Sequence, residues 1–227
     1  MARFFETFEV VESEGTWTRG GYPIDTSGHG FTSIVTDICV PAARPTPPDY
    51  ELGEDLTPFA IIGNQIVPVR CAPEEIRSKV VDTMAGVTEY RVTQAMWNGA
   101  PGTGGTLYMK HPDITQVPRA ADLASTLADV LVKAYEQTPH IQPVVHLGWQ
   151  AAMTLQFGLQ NLKLPFVVPP GYPKDAVAVT GPVKVFLSPI VTAESVRRTD
   201  NRREFEVTRF GAIEFDRFQA VRAADSA

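Results

Sequence analysis

The side chains that could hold a metal ion or act as a nucleophile are few and widely spaced in this sequence. There are four histidines and two cysteines: His29, His111, His140, His146, Cys39 and Cys71. No two histidines have the His-x-x-x-His spacing that places both ligands on one helix face. Both cysteines adjoin strand-like apolar segments, where cysteine is more often buried than reactive. We interpret His146 as a polar residue at a strand end and His111 as a loop-surface residue, and we predict no metal site and no catalytic residue.

A glycine-rich stretch is the second candidate for chemistry, because closely spaced glycines can cradle a phosphate group. Such a loop needs a preceding strand and a Gly-Lys-Ser/Thr sequence that opens a helix. Here the glycines follow a predicted helix, and Gly105 precedes Thr106. We interpret residues 99–118 as a connector and predict no cofactor, while an enzyme that binds a phosphorylated ligand through Gly102–Gly105 remains an alternative. A Gly-x-Ser-x-Gly elbow of a serine hydrolase is absent from the sequence.

Charged residues are concentrated near the C-terminus, where both signs alternate. Seven arginines are interleaved with six acids: Arg197, Arg198, Arg202, Arg203, Arg209, Arg217, Arg222, Glu194, Asp200, Glu204, Glu206, Glu214 and Asp216. Mixed signs predict salt bridges between strands or between subunits rather than a nucleic-acid track. A surface that touches DNA without sequence specificity is the alternative.

Composition limits the classes of protein that remain. The 227 residues are 44% hydrophobic and 20% charged, which allows a buried core and excludes wholesale disorder. The net charge of −6 argues against a dedicated nucleic-acid binder. The apolar runs are shorter than the ~18 residues of a membrane span, and the N-terminal sequence does not resemble a signal peptide. Two cysteines cannot form a disulfide framework, which predicts a reducing cytoplasm.

The first 70 residues predict extended structure. Residues 1–30 mix aromatic residues, glycine and acids, and predict either an arm that packs on a neighbouring subunit or an ordinary N-terminal strand in a sheet. Residues 31–41 predict a strand, and the proline-rich residues 42–58 an exposed loop. Residues 59–70 predict a pair of strands around Gly63-Asn64. Deleting the 42–58 loop should impair assembly more than folding of the subunit.

The strongest local signal is a helix of about 25 residues. Pro73 suits its first position, and Gly99 suits its stop. Apolar positions recur at steps of three and four residues, so that Val80, Met84 and Val87 should share the face that packs on the C-terminal strands. A helix this long, at about 74–98, would organise a chain of this size because the average helix has about 12 residues.

The remaining elements predict an α+β protein with helices early and strands late. A second helix is expected from about Arg119 to Gln137, with Leu123, Leu127, Val130, Leu131 and Ala134 on its apolar face. A short strand at 141–146 precedes a third helix at about 147–159. Further strands are expected in LPFVV, AVAVTGPVKVFLSPI, REFEVTRF and AIEFDRFQAVRA.

In the order of these elements the sequence resembles the major capsid proteins of tailed bacteriophages, whose fold encapsulins share. PFAIIGNQIVPVRCAPEEI, the helix ending in YRVTQAMWNGAPG, HIQPVVHLGWQAAMTL, and VVPPGYPKDAVAVTGPVKVFLSPI are similar to segments of capsid proteins from phages of actinobacteria. The closing REFEVTRFGAIEFDRFQAVRA is similar to their final sheet. The resemblance spans roughly residues 35–223, and it is carried by the order of the segments rather than by any one of them.

The resemblance implies an HK97-like capsid fold with an N-terminal arm, an extended β loop, a long spine helix in a peripheral domain and a compact axial domain. The implied divisions are 1–30 (arm), 31–70 (β loop), 71–137 (spine helix and peripheral domain), 138–190 (axial domain) and 191–227 (strands that return to the peripheral domain). Relative to that family the sequence is short and has no helical scaffolding segment near its N-terminus. A separate scaffolding protein, or removal of the segment, is therefore expected.

The implied function is structural, without enzymatic activity. Hexamers and pentamers of the chain would form an icosahedral head in the virion, assembled in the host cytoplasm, with scaffolding and decoration proteins as further partners. Packaged double-stranded DNA would be contacted only non-specifically, and no membrane is involved. An encapsulin-like compartment shell or another virion structural protein is the alternative. Some relatives cross-link Lys to Asn between subunits, but that motif is not matched here.

Overall fold

The computed structural model describes residues 4–12, 23–26, 29–32, 59–68, 73–99, 108–197 and 201–225. Four helices lie in this part of the chain: α1 (Phe4–Thr7), α2 (Pro73–Asn98), α3 (Leu123–Gln137) and α4 (Trp149–Asn161). The strands in chain order are β1 (Glu9–Glu12), β2 (Pro23–Thr26), β3 (His29–Thr32), β4 (Phe59–Pro68), β5 (Thr115–Val117), β6 (Val144–Leu147), β7 (Phe166–Val167), β8 (Val177–Thr180), β9 (Val183–Leu187), β10 (Val191–Arg197), β11 (Arg202–Phe215) and β12 (Val221–Ala223). The predicted α+β class is confirmed.

The first sheet is organised by its longest strand, β11. Antiparallel β10 lies along one edge of β11, and antiparallel β4 lies along the other. The far end of β11 pairs with β9, and β9 pairs in parallel with β1. The β10–β11–β4 part is a three-stranded ribbon, and α2 packs across it through contacts with β11 and β4.

The predicted pair of strands around Gly63-Asn64 is wrong, because β4 runs without a turn from Phe59 to Pro68. Its residues pair in unbroken register with β11, so that Gly63 lies opposite Val207 and Asn64 opposite Glu206. Gly-Asn favours a hairpin only when the flanking strands can pair with each other. Here a strand nearly 140 residues later along the chain supplies the partner instead.

The second sheet has the order β5-β12-β8-β6-β7 and lies between two cores. Alternation along β8 sends Val177 and Val179 to one core and Ala178 to the other. Helices α3 and α4 cover the first of these faces. The opposite face meets α1, α2 and the first sheet. All four residues of β8 are buried, as expected of a central strand covered on both sides.

Helix α2 confirms the predicted long helix, and Gly99 ends it with a φ of 81°. The predicted packing face is correct in part. Val80 and Met84 are buried, but Val87 is 38% exposed and Thr88 is buried in its place. The buried line therefore advances in steps of four residues, and the Thr88 hydroxyl is satisfied by donating to the Met84 carbonyl at 2.7 Å.

Helix α3 begins four residues later than predicted. Asp122 is its N-cap: the carboxylate accepts a hydrogen bond from the Ser125 backbone N–H at 2.8 Å, and that bond lowers the pKa of Asp122. Arg119 instead points its guanidinium at the carbonyls of Ala224 and Asp175. The predicted apolar face is confirmed, because Leu127, Val130 and Ala134 are buried and the other two predicted residues pack against them.

Two further sequence predictions differ from the fold. The strand β10 was not expected, since its alternating small and polar residues give a weak strand signal, and it forms because β11 offers it a partner. All of the segment REFEVTRF and the first four residues of AIEFDRFQAVRA belong to one continuous strand, β11, rather than to two strands. The proline-rich loop at 42–58 lies outside the described residues.

Candidate functional surfaces

His146 is the most deeply buried ionisable side chain among the described residues. Its Nε2 lies 2.7 Å from the Thr180 hydroxyl, and its Nδ1 lies 3.2 Å from the Tyr172 hydroxyl. The Thr180 hydroxyl donates to the Gly181 carbonyl at 2.8 Å, so it accepts from His146. The proton of the imidazole therefore resides on Nε2, and Tyr172 donates to Nδ1. Each of the three donors in this series of hydrogen bonds therefore has an acceptor.

Burial keeps His146 neutral. Loss of solvation lowers the pKa of His146 to about 3, and the same cause raises the pKa of Tyr172 well above its usual value. A proton relay to solvent would need an exposed end, whereas both residues are enclosed. The cluster connects β6, β8 and the turn that carries Tyr172. The expected position of His146 at a strand end does not convey this structural role.

The N-terminal segment is held by the same cluster. The Phe8 ring stacks on the His146 ring at 5.4 Å and 13°, and Phe4 lies tilted against both. The Phe4 backbone N–H donates to the Glu89 carboxylate at 2.9 Å. Of the two alternatives for residues 1–30, residues 4–12 fit a strand in the chain's own sheet rather than an arm on a neighbour.

The Gly171-Tyr172 turn fixes α2 against this cluster. Gly171 approaches α2 so closely that a Cβ atom there would lie 2.5 Å from the Tyr90 carbonyl oxygen. Its N–H donates to the Thr93 hydroxyl at 3.0 Å, and the Tyr172 ring packs on Trp97 at 4.7 Å. Only glycine fits this approach.

The predicted salt bridges between strands are present within the chain. Arg203 on β11 pairs with Glu194 on β10 at 3.1 Å. Arg209 is buried and pairs with Glu12 on β1 at 2.7 Å, while its Nε donates to the Ser188 carbonyl. These arginines are therefore engaged with acids and carbonyls of their own chain, and they are not arranged as a basic track.

An apolar ridge lies on the outer side of α4. Trp149, Met153 and Phe157, spaced by four residues, are 62%, 61% and 70% exposed. The opposite side of the helix is buried through Ala151, Ala152, Leu155 and Leu159. The whole sequence of α4, WQAAMTLQFGLQN, contains no charged residue. We call the line of Trp149, Met153 and Phe157 the α4 ridge.

A second apolar line lies on the outer side of α3, which packs against α4. Val132 is 58% exposed and Tyr135 is 42% exposed, and Ala128 continues the line one turn earlier. We call these three residues the α3 ridge. The ridge lies beside Lys133 and Glu136, whose side chains form an ion pair at 3.0 Å.

The ribbon face is the third exposed surface with apolar residues. It is the side of the β10–β11–β4 ribbon opposite α2. Ile62 and Ile66 of β4 and Val191 of β10 are exposed there, with Glu206 between them. A surface with both apolar and acidic residues suits a protein partner better than DNA.

The other sequence candidates do not converge on a site in the described part of the chain. His111 lies partly exposed beside Asp113 at 3.6 Å, as a loop-surface residue. Both cysteines and Gly102–Gly105 fall outside the described residues, as does the His29 side chain. Within the described ranges, no three His, Cys, Asp or Glu side chains gather closely enough to hold a metal, and no helix is both long and apolar enough to cross a membrane.

The ridges were missed by the sequence analysis although a signal for them exists. An amphipathic surface helix carries polar residues on its outer side, whereas α4 is apolar on two opposite sides and uncharged throughout. A second apolar side on a surface helix is a signal for an interaction surface. The helical periodicity of the sequence predicts only the buried side of α4.

Comparison with known proteins gives the fold a context. No protein-family model and no curated protein sequence matches the chain. Among solved structures, the chain is similar to the capsid of a native GTA particle (TM-score 0.61, 9% identity, covering 97% of this chain and 88% of that one). It is also similar to a chain of Gordonia phage Cozz (0.56, 12%, 83% and 77%) and to a virus-like particle from Pyrococcus furiosus (0.54, 10%, 98% and 92%).

These likenesses cover 83–98% of this chain at identities of 9–12%. The predicted fold family is thereby confirmed: the chain has an HK97-like capsid fold.

Proposed function

We propose that this chain is the major capsid protein of a tailed bacteriophage. Hexamers and pentamers of it would form the icosahedral head that encloses the phage genome. The observation that carries the proposal is the extent of the HK97-like fold, since the likeness to the GTA capsid covers 97% of the chain. The role is structural and involves no catalysis.

The exposed surfaces support a shell subunit. A shell needs large contact areas rather than pockets, about 800 Å² from each partner in a stable interface. The α4 ridge, the α3 ridge and the ribbon face each expose apolar side chains that a lone subunit would leave in water. His146, whose pKa is lowered by burial, is enclosed and fully hydrogen-bonded, which suits a structural role.

The packing supports a division of the subunit into a peripheral part and an axial part. We assign the peripheral part to α2 with β4, β10 and β11, and the axial part to the second sheet with α4. Helix α3 packs on β8 and β12, so we assign it to the axial part as well. The predicted arm (1–30) and the predicted extended loop (31–70) would each be shorter than expected, because β1 pairs with β9 and β4 pairs with β11.

Further partners are part of the proposal. A separate scaffolding protein would guide assembly in the host cytoplasm, and decoration proteins could bind the outer surface of the virion. Contact with packaged DNA would be non-specific and weak, because the net charge of the chain is −6 and Arg203 and Arg209 are paired with acids of their own chain.

Electron microscopy of the purified chain tests the proposal. Negative-stain images and sedimentation should show rings of five or six subunits or closed particles. A chain that stays monomeric at high concentration, both alone and with an added scaffolding protein, would contradict the proposal.

An encapsulin-like compartment is the second candidate, favoured by the likeness to the Pyrococcus furiosus virus-like particle over 98% of this chain. The contents of the particle distinguish the two functions. Nuclease-treated phage heads should retain double-stranded DNA, whereas a compartment should contain a co-purifying protein and little nucleic acid.

A further inference from the structure

We propose that the α4 ridge of one subunit packs on the α3 ridge of the next subunit, and that this contact closes the ring of subunits. The inference rests on the proposed function and names the partner of both ridges: a second copy of this chain. The two ridges are different surfaces of one subunit, which is the condition that a heterologous contact requires.

The area of the α4 ridge is large enough to form a substantial part of an interface. An aromatic side chain accounts for about 150–250 Å² when fully covered. Since its three residues are 61–70% exposed, the ridge leaves roughly 400 Å² of apolar surface in water. That is about half of what one partner contributes to a stable interface, and it equals the largest apolar patch of a typical monomer.

The chemistry of α4 favours protein over DNA or lipid headgroups. The helix has no charged side chain. Contact with a phosphate backbone or an anionic membrane surface needs lysine or arginine. A neutral apolar ridge suits another neutral apolar surface, because neither side then buries an unpaired charge.

We assign the α3 ridge as the complementary surface, because the ribbon face carries the exposed acid Glu206 among its apolar residues. Val132 and Tyr135 project from a helix whose nearest cation, Lys133, is already paired with Glu136 at 3.0 Å. The Lys133–Glu136 pair is thus neutral, and the exposed Asp129 adds one acid beside the ridge, at the rim, where interfaces are polar. Tyr135 adds a hydroxyl that can remain hydrated at the edge.

Symmetry decides between a like and an unlike contact. If two α4 ridges met each other, the contact would be isologous and would close at a dimer. A ring of five or six subunits needs two different patches on every subunit. The α3 and α4 ridges are two such patches, both directed away from the core that their helices share.

Charge insertion tests the contact without affecting the fold. Phe157→Asp damages only the α4 ridge, and Val132→Asp damages only the α3 ridge. Both side chains are exposed, so both variants should keep the melting temperature of the unmodified subunit. Each should lose ring formation in sedimentation at least tenfold. The control Thr154→Asp adds the same charge to an exposed position of α4, about 100° around the helix from Met153, and should still form rings.

Mixing the two variants identifies the pairing. The Val132→Asp subunit retains an intact α4 ridge, and the Phe157→Asp subunit retains an intact α3 ridge. An equimolar mixture should therefore form one contact and sediment as a dimer, whereas each variant alone remains monomeric. Dimers of Val132→Asp without its partner would show that α4 ridges meet each other, and would overturn the proposal.

Other outcomes separate this inference from the proposed function. If the unmodified chain forms particles and both Asp variants form them equally well, the ridges are not the ring contact, although the capsid function stands. If Val132→Asp assembles normally and Phe157→Asp does not, the partner of α4 is some other surface or protein, and the proposed pairing is wrong. If the unmodified chain never associates, both proposals fail.

Discussion

At the scale of single residues, the cluster around His146 determines how the subunit responds to acid. The unfolded chain binds a proton at this residue below about pH 6.5, whereas the folded chain resists protonation until the pKa of His146, about 3. Between these values the unfolded state holds more protons, so the free energy of unfolding falls as the pH falls. The contribution of the neutral histidine is complete above that window.

We expect the free energy of unfolding to drop by about 2 kcal/mol between about pH 7.5 and about pH 5 because of His146. Urea unfolding at a series of pH values measures this drop. His146→Gln should lower the stability at neutral pH, since it disturbs the hydrogen bonds to Tyr172 and Thr180, but it should remove most of the pH dependence in this window.

Tyr172→Phe is the matched control for the histidine. It removes the hydroxyl that donates to Nδ1 and leaves the imidazole buried, so the drop with pH should persist. If His146→Gln showed the same dependence on pH as the unmodified chain, the acid sensitivity would come from other groups.

At the scale of elements, α2 is held by one buried line that contacts β4 and β11. Met84 and Val80 belong to this line, and Val87 lies outside it. Val87 lies outside the line because positions spaced by four residues shift gradually around the helix axis, and the ribbon under α2 follows the same shift. A hydroxyl can occupy the line at Thr88 because the helix itself supplies the acceptor.

Met84→Ala should therefore lower the free energy of unfolding by about 2–5 kcal/mol, as truncation of a buried long side chain does. Val87→Ala, one turn away on an exposed side of the helix, should cost less than about 1 kcal/mol. Thermal unfolding of the two variants compares a buried and an exposed apolar residue in one helix. Equal losses would mean that the described packing of α2 is incorrect.

Two glycines of this helix should respond to alanine with opposite signs. Gly86 lies inside the helix with open space around it, so Gly86→Ala should stabilise by about 0.5–1 kcal/mol. Gly99 has a φ of 81°, and a Cβ there would lie 3.0 Å from the Tyr108 ring, so Gly99→Ala should destabilise by roughly 1–2 kcal/mol. Calorimetry of both variants checks the pair, and a stabilising Gly99→Ala would refute the assigned helix end.

At the scale of the whole molecule, net charge and apolar contact oppose each other. Every subunit carries a net charge of −6, so bringing many copies together is resisted by repulsion. The proposed ring contact, in contrast, is neutral and apolar, so screening of charges by salt does not weaken it. Assembly should then be limited by repulsion between subunits, which salt screens.

We expect the yield of rings or particles to rise several-fold when sodium chloride is raised from about 0.05 M to about 0.5 M, because the screening length falls to a few ångströms. Light scattering at a fixed subunit concentration measures this. Particles that dissociate in high salt would instead point to ion pairs as the main contacts, and the apolar ridges would then be secondary.

The sequence by itself determined the features that depend on neighbouring residues. The limits of α2 follow from Pro73 and Gly99, and the apolar face of α3 follows from its periodicity. The order of the segments was enough to predict the HK97-like fold, since sequence order records topology even where identity to solved structures is only 9–12%.

Only the tertiary structure decided the features that depend on distant partners. The single strand β4 exists because β11 pairs with all ten of its residues, and β10 forms on the other edge of that strand. His146 is a central tie only because Phe8, Tyr172 and Thr180 converge on it from three distant segments. The α4 ridge emerges in the same way. Its residues look like core in the sequence, and they are exposed because the second sheet can cover just one side of a helix; the other side is left for a neighbour.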